Sequence, residues 1–131
     1  MTIKLYKSQD YSKKLKVTIQ SSGKLGFADP AAKDMQLSKD KSVAIGYDEN
    51  NTEEMYLVVF DKKVYGAYDV MKSGTYYYLN TAMLFSSIGF DYKNKTIIFD
   101  LLRSSENDQE VGGKVYKMFP RIKEKKGGKM R

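Results

Sequence analysis

Residues 74–83 read Gly74-Thr75-Tyr76-Tyr77-Tyr78-Leu79-Asn80-Thr81-Ala82-Met83, and 51 positions earlier the chain reads Gly23-Lys24-Leu25-Gly26-Phe27-Ala28-Asp29-Pro30-Ala31-Ala32. Both stretches open on a turn glycine, run through a short apolar or aromatic strand, and reach Asp or Asn where a helix can begin. Asp29 is predicted as an N-cap with Pro30 at the first helical position, and Asn80 stands at the matching place. Ala28, Ala31, Ala32 and Met35 share one helical face; Ala82, Leu84, Phe85 and Ile88 supply a second, which Gly89 ends at C′. Beyond the helices, Val43-Ala44-Ile45-Gly46-Tyr47 matches Thr96-Ile97-Ile98-Phe99-Asp100 with the offset drifting to 53. Residue identity between the halves is low, but the order of signals repeats. The reading is a strand–helix–strand duplication over about residues 17–60 and 65–102.

Working outward, residues 3–7 and 15–20 alternate apolar and polar like half-buried strands. Ser21-Ser22-Gly23 is a turn, residues 42–48 and 55–60 are strands around a polar hairpin loop, and 63–71 is strand-like. Residues 104–113 read as a polar linker, with a final strand at Val115–Phe119. The predicted fold is therefore a single α+β domain over 1–113: a twisted antiparallel sheet or small barrel with two short helices. A basic C-terminal segment at 114–131, with a disordered tail, follows it.

Composition narrows the chemistry. The chain of 131 residues has no His and no Cys, which removes the commonest general acid–base group, every thiolate nucleophile and the usual zinc ligands. The oxygen-rich loop Asp48, Glu49, Asn50, Asn51, Glu53, Glu54 lacks the alternating spacing of a calcium loop and reads as a solvated turn. Asp91 and Asp100 have no evident acid–base partner, and no phosphate-binding glycine motif is present. The expectation is a non-enzymatic protein without metal or cofactor. No apolar run approaches the ~20 residues of a membrane span, and no signal peptide precedes the first strands, so a soluble cytoplasmic chain is predicted.

The formal charge of +7 is unevenly placed. Residues 1–24 carry six Lys against Asp10, residues 25–113 carry nine basic and fourteen acidic side chains, and residues 114–131 carry eight basic ones against Glu124. Basic ends around an acidic middle are the pattern of arms that meet a polyanion. The candidate nucleic-acid-binding residues are Lys13, Lys14, Lys16 and Lys24 at one end, and Lys114, Lys117, Arg121 and Lys123 at the other. Alternation puts Tyr76 and Tyr78 on one side of their strand and Tyr77 on the other. Tyr76 and Tyr78 are the candidate stacking surface for unpaired bases; the bland alternative is that tyrosine is simply a good strand former.

The stretch Thr18–Phe27, followed by Asp29-Pro30-Ala31-Ala32, Met35-Gln36-Leu37 and Val43-Ala44-Ile45, resembles the half-module of AbrB/MazE-type swapped-hairpin transcription factors over about residues 17–60. The family's Ile-Pro and Gly-Asp signals are replaced by Ala28-Asp29-Pro30 and Lys39-Asp40. The resemblance implies a pseudo-dimer in one chain and DNA binding, with Lys24 the matching basic residue. A looser likeness is to Whirly-type single-stranded DNA binders. The expected partner is thus nucleic acid, DNA first, with a homo-oligomer as a further expectation. The rival reading is a structural or protein-interaction module that oligomerises through sheet edges.

Overall fold

The computed structural model describes residues 1–5 and 15–125. Among the described residues, nine strands form one sheet in which every pairing is antiparallel: β1 (Leu15–Ile19), β2 (Leu25–Phe27), β3 (Ser42–Asp48), β4 (Asn51–Phe60), β5 (Tyr68–Asp69), β6 (Met71–Ser73), β7 (Tyr76–Leu79), β8 (Lys95–Arg103) and β9 (Lys114–Glu124). Their order is β5-β3-β4-β9-β8-β1-β2-β7-β6. The two outermost strands, β5 and β6, are separated in the chain only by Val70, so the sheet nearly closes into a barrel. Residues 68–73 act as the seam: they pair with β3 through Tyr68 and Asp69, then with β7 from Met71 onward. Taken as one strand, the seam gives a ring of eight, and an all-antiparallel ring must have an even number.

Around this ring, the β1–β2 hairpin lies between β8 and β7, and the β3–β4 hairpin lies between β5 and β9. The β1–β2 and β3–β4 hairpins are therefore not neighbours: the β8–β9 hairpin separates them on one side, and the seam with β7 on the other. Two helices make the crossovers: α1 (Asp29–Met35) joins β2 to β3, and α2 (Ala82–Ile88) joins β7 to β8. The strand registers put them at opposite ends of the barrel, each over one mouth.

Alternation fills the interior. Val17 and Ile19 of β1, Leu25 and Phe27 of β2, Leu57 and Val59 of β4, and Ile97, Phe99 and Leu101 of β8 point inward and are buried. Ala31 and Met35 enter from α1, and Phe85 enters from α2, where it packs on Phe90 and Phe99. Each fully buried side chain of this size contributes about 1.5–3 kcal/mol to the folded state. Tyr116 is also fully buried, with its hydroxyl donating to Asp34 Oδ2 at 2.7 Å, which ties α1 to β9.

Several expectations need correction. The N-cap of α1 is Ala28; Asp29 is the first helical residue and makes no capping hydrogen bond. At α2 the cap position is Thr81, not Asn80, and its buried hydroxyl donates instead to the Gly23 carbonyl at 2.9 Å. Neither helix start has a side-chain cap, since Ala28 carries no polar acceptor and the Thr81 hydroxyl is engaged with Gly23. Residues 1–5 form no strand, and residues 6–7 lie outside the described residues. The segment 104–113 is ordered as a 3₁₀ turn (Ser105–Asn107) and a short helix α3 (Asp108–Val111). Arg103 grips Asp108 with two hydrogen bonds of 2.8 and 2.5 Å and so holds that connection against β8. The segment 114–124 is a barrel strand paired on both sides, with β4 and with β8.

Candidate nucleic-acid interface

The outer face of β1, β2 and β7 carries the predicted tyrosines and two of the predicted lysines. Burial alternates along β1, so Lys16 and Thr18 face out between the buried Leu15, Val17 and Ile19. Tyr77 packs against the core, while Tyr76 and Tyr78 lie on the other side with near-parallel rings, centroids 6.2 Å apart at 22°. Tyr76 keeps more than a third of its surface exposed. The Lys24 ammonium stands 4.7 Å from the Tyr78 ring centroid, a cation–π contact.

Two neighbours that the sequence reading did not single out position this pair. Gly26 lies opposite Tyr78 in the register, and the Tyr76 hydroxyl occupies the space that a Cβ on Gly26 would need. Gln20 Nε2 donates to the same hydroxyl. Gly26 had a signal available, since glycine inside a strand marks a close approach. Gln20 had none, because nothing local links it to a residue 56 positions away.

The remaining candidates divide. Lys123 is exposed on β9, opposite Thr96. Lys16, Lys24 and Lys123 have no ion pair among the described residues. Lys117 is held by Glu54 at 2.9 Å, which raises the lysine's pKa and lowers that of the carboxyl, and its ammonium sits 5.3 Å from the Phe119 ring. Arg121 forms a two-point pair with Asp100 at 2.5 and 3.1 Å, and Asp100 is also the register neighbour of Lys16. Lys114 donates to the Asp34 carbonyl at 3.3 Å, beside α1. Lys13 and Lys14 lie outside the described residues. The structure thus brings together Lys16, Lys24, Tyr76 and Tyr78; it ties Lys114, Lys117 and Arg121 to acceptors of the chain itself.

The described residues hold 17 of the 23 basic side chains and 15 of the 16 acidic ones, so this part of the chain is close to neutral. The predicted loop at 48–54 is a turn only at Glu49 and Asn50, where the Asn50 N–H donates to Asp48 Oδ1 at 2.8 Å; Asn51, Glu53 and Glu54 already belong to β4. Among the described residues no three His, Cys, Asp or Glu side chains converge to hold a metal ion, and no helix is long and apolar enough to cross a membrane. No protein-family model, curated protein or solved structure matches this chain.

Proposed function

We propose that this chain is a non-catalytic nucleic-acid-binding domain whose binding face is the outer surface of β1, β2 and β7. The observation that carries the reading is the aromatic pair Tyr76–Tyr78 with Lys24 against it and Lys16 one strand further on, neither lysine in an ion pair among the described residues. Lysines outside ion pairs are available to phosphates, and phosphate contacts supply affinity without sequence preference. Lys123 extends the same face across β8 to β9.

The test is a salt titration. Affinity for an oligonucleotide is expected to fall linearly on a log–log plot with a slope of about −3, near one unit per phosphate contact. Lys16→Gln and Lys24→Gln are each expected to flatten the slope by about one unit. Absence of binding at ~50 mM salt, where non-specific contacts persist, would remove the reading.

The same reading takes the chain as two equivalent halves, each a hairpin, a helix and a hairpin, in the manner of the swapped-hairpin factors. Support comes from the ring order, in which each half's first hairpin is separated from its second by a hairpin of the other half. The helices also cross opposite mouths, as a two-fold axis perpendicular to the barrel requires.

The rival, oligomerisation through sheet edges, has one observation in its favour. The β4–β9 ladder stops at Met55 and Met118, although β4 begins at Asn51 and β9 continues to Glu124. Pro120 lies in that unpaired stretch, and proline there opposes strand addition. Sedimentation at rising concentration separates the readings: a monomer that binds oligonucleotide supports the first, and a dimer that does not bind supports the second.

A further inference from the structure

We propose that the Tyr76–Tyr78 shelf takes unpaired bases, which makes single-stranded nucleic acid the preferred ligand of this face; the inference deepens the nucleic-acid reading and rests on it. The two rings are near-parallel neighbours on one face of β7, with centroids 6.2 Å apart and 22° between their planes, and Tyr76 keeps more than a third of its surface exposed to meet a base. Tyr76 is not left to rotate. Its hydroxyl is seated over Gly26 of β2 and receives the amide of Gln20, the residue after β1, so two contacts outside its own strand fix the ring. A ring fixed before binding loses little conformational entropy when a base stacks on it.

Sequence-tolerant stacking needs exposed base faces, and a duplex hides them between neighbouring pairs. The surroundings fit a strand that crosses the sheet. Lys24 directly precedes β2, the neighbour of β7, level with Gln20; Lys16 is on β1, four positions before Gln20 and level with Ala28, so the two lysines are offset along the strands as well as across them. Bases on the shelf therefore leave the following phosphates near these two ammonium groups. The residues between them on this face are small or uncharged, Thr18 and Gly26, so no carboxylate interrupts that path between β7 and Lys16. The footprint is short, on the order of four nucleotides.

The experiment compares the full chain with a labelled single strand of about twelve nucleotides, as oligo-dT and as oligo-rU, and with a duplex of the same length, at ~50 mM salt. The single strands are expected to bind at least about tenfold tighter than the duplex. Tyr76→Leu and Tyr78→Leu are each expected to lose about tenfold on single strands and nothing on the duplex, folding being checked by thermal melting. The chain has no Trp, so Tyr76→Trp gives a single reporter whose emission the single strand is expected to quench. The wild-type comparison and the Trp reporter decide the matter even where a Leu variant fails to fold. Equal affinity for both forms, with no quenching, overturns the unpaired-base proposal and leaves nucleic-acid binding standing. No binding of either form overturns both.

Discussion

At Gly23 the backbone φ is +90°, and a Cβ placed there would fall 2.6 Å from the Ala82 Cβ and 2.8 Å from its Cα. Gly23→Ala would therefore combine left-handed strain with a clash against the start of α2, and it is expected to destabilise the fold by about 3 kcal/mol. A fall of roughly 10 °C in Tm would register it. At Gly26 the obstacle is different: the tip of the Tyr76 side chain, which can swing away. Gly26→Ala is expected to leave Tm within a few degrees, since alanine also reduces the freedom of the unfolded chain. Its effect is on the shelf, with affinity for single strands falling about as far as in Tyr76→Leu. A large drop in Tm with unchanged binding would show that Gly26 serves packing alone. The helix start gives a third expectation. Asp29 makes no capping bond, so Asp29→Ala costs only the dipole contribution, about 0.3–0.5 kcal/mol. Ala28→Ser supplies the missing cap on a residue already at φ −65° and ψ 152°, and is expected to raise stability by about 1 kcal/mol in thermal unfolding.

Among the elements, the connection from β8 to β9 is held by charge. Asp108 receives Arg103 and the Val115 N–H, and the guanidinium contact, the larger effect, holds its carboxyl below the ordinary aspartate range. A depressed folded-state pKa favours the fold above the unfolded value near 4 and is lost as pH falls through the folded one. Stability measured by denaturant should thus decline below about pH 4, and Asp108→Asn should flatten that decline. Much of the element pattern was legible in the sequence. The two short helices, the alternating β1, the strand after the acidic loop and the αL glycine at Gly89 follow from local periodicity and turn chemistry. The side of β7 on which Tyr76 and Tyr78 lie follows from the same alternation. The Arg103–Asp108 grip and the order within 104–113 were not legible, since a polar stretch is ordered or not according to its contacts, here with Arg103 and Val115 on the two strands it joins, and no local periodicity announces them. Nor did charge counting show that Lys117 and Arg121 would find carboxylates, because Glu54 and Asp100 reach them only through the β4–β9–β8 register.

For the whole molecule, the ring order makes each half depend on the other. Cutting the loop between Phe60 and Tyr68, where Tyr65 is fully exposed and Gly66 has open space around it, leaves fragments whose hairpins lack their ring neighbours. Residues 1–64 and 65–131 produced together are expected to co-purify as a one-to-one complex that melts cooperatively. The first fragment alone is expected to find a ring only in a second copy of itself; a stable, cooperatively folding monomer of that fragment would contradict the arrangement. The pairing of β1 with β8 also sets a clock. At synthesis rates of ~5–20 residues per second, β1 waits on the order of ten seconds for Arg103 to be made. During that interval Val17, Ile19, Leu25 and Phe27 have no partner on the far side of the barrel. Losses in the cell should then follow the length of this wait, so that slowing translation between β4 and β8 lowers the soluble yield of a chain whose finished stability is unchanged.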